Sequence, residues 1–237
     1  MMSRPLALLA VFAHPDDESF AAGGTLAKYT AEGVEVAIVS ATRGEVGIRG
    51  TEAAEAARVR EAELRQAAAE LGANQVHFLG YRDGTLPEVD PQEAVARLVT
   101  LLRELRPQVV VTFGPDGISG HPDHVTVSRW VTAAFDALEE LDASQKLFYV
   151  APSPATQQGC QVGDPSPLPA DAVGIDVGAH LEAKVRAMQA HASQEPPYPG
   201  DPTQEARKLV CHEWFVLARS YLPSGSDERE DLFAGLR

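Results

Sequence analysis

At 237 residues, with 44% hydrophobic and 23% charged side chains, the chain can bury a substantial core as one large domain spanning 1–237, and it is too apolar to be disordered. A formal net charge of −14 repels phosphate backbones and anionic membrane surfaces, so the expected partners include no nucleic acid and no membrane. Two cysteines, Cys160 and Cys211, form neither a disulfide framework nor a CxxC metal pair, and a reducing, cytoplasmic setting is the simple reading.

Leu6 to Phe12 is a continuous apolar run, as expected for a central parallel strand covered on both faces. Together with Arg4 it has the outline of a short signal peptide, but cleavage after Ala13 would remove the strand that positions His14, and the strand reading is preferred. After Gly23-Gly24 the spacing predicts a helix over TLAKYTAEG, stopped at Gly33. Val34 to Ala41 reads as a second strand and Thr51 to Leu71 as a helix ended by Gly72. Val76 to Leu79 is a third strand, Pro91 to Leu105 an amphipathic helix and Val109 to Phe113 a fourth strand. His124 to Leu141 reads as helix and Lys146 to Val150 as a fifth strand. Strands alternating with helices predict an α/β fold: a Rossmann-like, doubly wound, mostly parallel sheet with helices on both faces. Pro152 to Asp171 carries five prolines and little periodicity, so it reads as a long loop, either a lid or a surface excursion. Beyond it a strand over Val173 to Val177, a helix over Ala179 to Ala192, and a last helix or strand over Arg207 to Tyr221 are expected. The acidic tail from Pro223 to Arg237 has no predicted place.

Two short stretches carry the chemistry. AHPDDE, Ala13 to Glu18, directly follows the first strand, and HPDH, His121 to His124, follows the fourth by a few residues. Open α/β sheets bind ligands at such strand ends. A catalytic zinc needs three nitrogen or carboxylate ligands and one open position. His14 and Asp17 can reach one ion from the same turn, and His124 completes the set. Asp16 then points elsewhere and is free to act as general base toward water. His121 is left beside the site, where as an imidazolium favoured by Asp123 it could stabilise an oxyanion and protonate a departing amine. A single HPD triplet is more simply a turn or helix cap. Two of them, each behind an apolar run, favour one shared metal site.

With these residues the chain resembles the LmbE-like, or PIG-L type, zinc-dependent N-deacetylases, which include the deacetylases of glycosylphosphatidylinositol, mycothiol and bacillithiol synthesis. The resemblance runs from the first strand to Ser193-Gln194. It implies a Rossmann-like fold, one Zn2+ on His14, Asp17 and His124, Asp16 as base, and His121 as electrostatic partner and general acid. It further implies Asp123 as the partner of His121, Arg60 as the arginine that binds sugar hydroxyls or a neighbouring polar group, and Asp83 as a sugar-binding carboxylate. On the helix, the plainer role for Arg60 is pairing with Glu63 or Glu55, and for Asp83 a turn cap. Glu45 in TRGE and His191 in AHASQ match family-like stretches, with support of the site loops as the expected role.

The reaction so implied is hydrolysis of the N-acetyl group of a small N-acetylated amino sugar, for example a GlcNAc-malate or GlcNAc-inositol thiol precursor. Rival readings are an amidase acting on a thiol conjugate and a non-catalytic, metal-dependent sugar-binding module. A dinucleotide site would need GxGxxG after the first strand, where AHPDDESFAAGG stands instead. Iron or another divalent ion suits the same donors, and the family is compatible with a homo-oligomer.

Overall fold

The structure, a computed structural model, describes residues 4–138, 145–152, 168, 170–194, 198–222 and 231–237. Its centre is β1 (Ala7–Phe12), apolar throughout and buried throughout. β2 (Glu35–Ser40) and β4 (Val109–Phe113) flank it, both parallel. β3 (Gln75–Phe78) lies outside β2 and β5 (Lys146–Ala151) outside β4, again parallel. β7 (His212–Ser220) and β6 (Val173–Asp176) extend the β5 side with antiparallel pairing, giving the order β3-β2-β1-β4-β5-β7-β6.

From β1 the chain first moves outward through β2 to β3 and later returns to build β4 and β5 on the other side. The right-handed rule for parallel crossovers then puts the intervening helices on opposite faces. Accordingly α1 (Asp17–Ala31) and α2 (Ala53–Glu70) pack against α5 (Leu181–Ala190), while α3 (Pro91–Leu105) packs against α4 (Pro122–Asp136). A short α6 (Pro202–Ala206) leans on α5. β1 and β4 are adjacent strands whose connections leave in opposite directions, and a doubly wound sheet opens its crevice at the C-terminal ends of such a pair. Those two ends carry AHPDDE and the GPDGISGHPDH loop. Among the described residues no helix is long and apolar enough to cross a membrane.

α1 differs from expectation at its start. It begins at Asp17 and runs through Gly23-Gly24 without stopping. These glycines serve close packing: a Cβ on Gly24 would lie 2.7 Å from Val177 Cβ. The carboxylate of Glu213 on β7 accepts from the N–H groups of Gly24 and Thr25 at 2.9 and 2.8 Å, and Lys184 pairs with it at 2.6 Å, tying α1 to β7 and α5. The last stretch, for which helix and strand are both open from sequence, is β7. Residues 153–167 and 169 of the proline-rich loop lie outside the described residues. So do 223–230 of the acidic tail, whereas 231–237 dock onto the core. Leu232 and Phe233 are fully buried, Phe233 meets the Tyr29 ring edge-on at 5.0 Å, and Tyr29 Oη donates to Asp231 at 2.8 Å.

Candidate metal centre

The turn after β1 and the start of α4 bring three donor atoms together. His124 Nε2 lies 3.3 Å from His14 Nδ1 and 3.3 Å from Asp17 Oδ1, and His14 Nδ1 lies 3.5 Å from Asp17 Oδ2. Donors at about 2.0–2.1 Å from a tetrahedral ion stand about 3.3–3.4 Å apart along each edge of the tetrahedron. The two edges that meet at His124 Nε2 have that length, and with the Asp17 carboxylate also 3.5 Å from His14 Nδ1 the three residues fit a three-donor set. A second group, His14, His121 and Asp123, also brings donor atoms within 4.8 Å of one another. It is the poorer cradle: Asp123 is fully buried, and its oxygens already accept from the Gly84 N–H at 2.8 Å and the Leu86 N–H at 3.2 Å.

Each donor is aimed by a partner. His14 Nε2 faces Asp83 Oδ1 at 3.1 Å and Asp123 Oδ2 at 3.3 Å, so the ring proton belongs on Nε2 and the Nδ1 lone pair faces the triangle. His124 Nδ1 faces the Gly117 carbonyl at 3.1 Å, which turns its Nε2 lone pair the same way. The His124 ring lies flat on Phe113, with centroids 4.1 Å apart and planes 5° from parallel. Phe113 in turn meets Phe12 at 5.0 Å, so the last residues of β1 and β4 form the apolar floor of the site. Asp17 Oδ2 accepts from the His14 N–H at 2.8 Å, leaving Oδ1 toward His124.

The carboxylates gathered here favour positive charge at the His14 ring. Burial disfavours charge on His14, but hydrogen bonds to Asp123, Asp17 and Asp83 outweigh it and push the pKa up to about 12. Burial likewise works against ionised Asp17, Asp83 and Asp123, yet the facing imidazoles and backbone donors hold all three below the usual carboxylate range. His124 is shifted the other way, downward, by burial first, with Asp17 pulling against it and His14 adding to it.

Asp83, expected at the sugar, and Asp123, expected beside His121, are both turned inward. Asp83 is 6% exposed, with one oxygen on His14 and the other accepting from the Val46 N–H at 3.3 Å. Asp123, expected beside His121, directs its carboxylate to His14. Its link to His121 is through the backbone, whose N–H donates to His121 Nδ1 at 3.2 Å. That contact uses His121 Nδ1 as an acceptor and leaves Nε2–H as the donor of this exposed ring.

Asp16 stands outside both donor groups. It caps α1 at φ 113°, ψ −34°, a conformation that costs a non-glycine residue about 1–3 kcal/mol. Arg60 holds it there. Its Nη2 donates to Asp16 Oδ2 at 3.0 Å and to the Pro15 carbonyl, and the residue is 3% exposed. Arg60 thus meets a neighbouring polar group, Asp16, and the expected pairing along its own helix is corrected, since it pairs with neither Glu55 nor Glu63. Glu55 takes Arg58, and Glu63 accepts from the N–H and hydroxyl of Ser193 at 2.8 and 2.7 Å. Gly44 and Gly47 make the slot for the guanidinium, because a Cβ on either would overlap Arg60 Nη1. Spacing along one helix could not show this, because the partners come from other loops.

Burial first, then the charge of Asp17, push the Asp16 pKa up to about 7, while Arg60 pulls it down. Removing that cation raises it further, so a base at this position ionises later. Arg60→Met is therefore expected to move the acid limb of kcat/KM upward by about one pH unit, losing most at low pH. A pH profile that falls without moving would show that Arg60 acts only in folding.

The chain is similar to other proteins across the stretch that carries this site. The family model described as PIG-L, GlcNAc-PI de-N-acetylase, matches residues 9–135, which include all three donors and Asp16. The 1D-myo-inositol 2-acetamido-2-deoxy-alpha-D-glucopyranoside deacetylase of Rhodococcus opacus (strain B4) is 35% identical over 285 residues, spanning 97% of this chain and 98% of the relative. Among solved structures, the conserved protein TT1542 from Thermus thermophilus superposes with a TM-score of 0.67 at 28% identity, covering 94% of this chain and 99% of that one. The fold is shared as well by N,N'-diacetylchitobiose deacetylase from Pyrococcus horikoshii, with a TM-score of 0.67 at 24% identity over 89% of this chain and 83% of that one. The chain belongs to the PIG-L family of de-N-acetylases.

Proposed function

We propose that the chain is a cytoplasmic, zinc-dependent hydrolase that removes the acetyl group from the amine of a GlcNAc-containing small molecule, with a GlcNAc-inositol as the favoured class. Deacetylation follows from family membership, and the sugar from the names of the curated relatives. The observation that carries the reading is the pairing of a three-donor triangle from His14, Asp17 and His124 with an unliganded, raised-pKa carboxylate at Asp16.

His14, Asp17 and His124 would hold Zn2+, which would supply Lewis acidity to the carbonyl and to the attacking water. Asp16 takes a proton from the attacking water, a task suited to a carboxylate whose pKa is pushed up to about 7. The water oxygen adds to the acetamide carbon, and His121 donates through Nε2–H to the developing oxyanion. Breaking the C–N bond releases acetate, and the nitrogen leaves as an amine after accepting the proton that Asp16 took from the water. Asp83 and Asp123 keep the His14 ring oriented throughout.

His121→Ala is expected to lower kcat by about 10²–10³-fold with bound zinc unchanged. Loss of zinc instead would move His121 into the ligand set. The function itself is tested by acetate release from a panel of N-acetyl sugars, with GlcNAc-inositol, GlcNAc-malate and free GlcNAc as members. Acetate and free amine in equal amounts, fastest with the inositol conjugate, are expected. Failure of the zinc-loaded protein on every member would overturn the reading.

A further inference from the structure

Asp16 is held from a second side, independent of Arg60. Its own N–H donates to Glu18 Oε2 at 3.1 Å, two residues ahead, while Asp16 itself stands at φ 113°. Glu18 sits in the first turn of α1 and is 1% exposed, so a carboxylate there is not a solvated helix-end charge. Its other oxygen accepts from the Ser19 hydroxyl at 2.6 Å and faces His191 Nε2 at 2.7 Å. His191, just past α5, is fully buried, and its Nδ1 has no hydrogen-bond partner. A buried imidazole with one nitrogen unmet is a costly way merely to fill space. The segment bearing it is fixed in turn by Glu63 of α2, which accepts from the N–H and hydroxyl of Ser193.

The geometry points to Glu18 and His191 as positioning residues that lock Asp16 in its left-handed conformation, keeping its carboxylate beside the metal donors and out of their set. The inference rests on the reading of Asp16 as base, and the experiment separates the two. Steady-state kinetics and bound zinc are measured for the full-length protein carrying Asp16→Asn, Glu18→Ala, Glu18→Gln, and Glu18→Ala with Asp16→Asn. Glu18→Ala is expected to lower kcat about 10–100-fold, as loss of an outer-shell partner does, with KM and zinc content held. Glu18→Gln, whose amide oxygen can still accept from the Asp16 N–H, retains most of the rate. In the Asp16→Asn background Glu18→Ala costs nothing further, because a residue acting through another shows no separate effect once that other is gone.

Ser19→Ala, which removes one hydroxyl donor to Glu18, is the gentler second arm. It should cost several-fold in kcat, again only when Asp16 is present, and should speed hydrogen exchange at the Asp16 amide. An additive loss in the Asp16→Asn background, zinc falling in step with rate, or an unchanged kcat in both arms would overturn the positioning role. A wild-type rate for Asp16→Asn itself would instead remove the base reading on which it stands.

Discussion

Asp16→Asn is expected to lower kcat by about 10²–10⁴-fold while zinc binding stays as in the wild type. The substitution is close to isosteric, and an amide oxygen can still accept from Arg60 Nη2, now 3.0 Å from Asp16 Oδ2. The turn after β1 should therefore keep its shape. What the amide cannot do is take a proton. Because Asp16 lies outside both donor groups, the metal loses nothing. Loss of zinc in this variant would mean that Asp16 is a ligand, and an intact kcat would mean that another group takes the proton.

His124→Ala should have the opposite signature, with zinc affinity falling by more than about 100-fold and turnover going with it. Loss of an outer-shell partner alone costs about 10–100-fold, and this change removes a donor outright. Two of the three edges of the triangle, those to His14 Nδ1 and Asp17 Oδ1, end on His124 Nε2. The substitution also uncovers the face of Phe113 on which the ring lies. Equilibrium dialysis against zinc reads the outcome directly. Wild-type affinity in His124→Ala, with loss in His121→Ala, would assign the ion to the alternative group of His14, His121 and Asp123.

Much of this architecture can be read without coordinates where burial is complete on both faces. β1 and β4 are nearly unbroken runs of Val, Leu, Ala and Phe, and their limits agree with the predicted ones to within a residue. α3 is equally plain, since Asp90 caps it, Pro91 opens it, and Arg106 closes it at φ 47°. The start of α1 is misplaced by local reasoning because Gly23-Gly24 reads as a break by propensity, whereas the close approach of Val177 and Lys184 requires small residues there. Tertiary packing overrides a weak local preference.

The site divides in the same way. That His14, Asp17 and His124 come together is legible because metal ligation needs particular donor types at strand ends. The holders are not, since nothing local marks the Gly117 carbonyl as the partner of His124 Nδ1, or Asp83 and Asp123 as partners of His14 Nε2. Arg60 is legible as a residue of the site but not in its role, because only the fold shows Asp16 beside it and Gly44 and Gly47 opening its slot. The expectation that Asp16 diverges by simple alternation along an extended turn also gives way to a different cause, a positive φ at the helix cap.

The central claim is that two motifs about a hundred residues apart hold one metal ion between them. An anomalous difference map at the zinc edge, from crystals of the zinc-loaded protein, tests it most directly. The expected result is a single peak within about 2.0–2.2 Å of His14 Nδ1, Asp17 Oδ1 and His124 Nε2, with Asp16 and Asp123 outside the coordination shell. A peak bound by His121 and Asp123, or one held by the residues of a single motif, would contradict it.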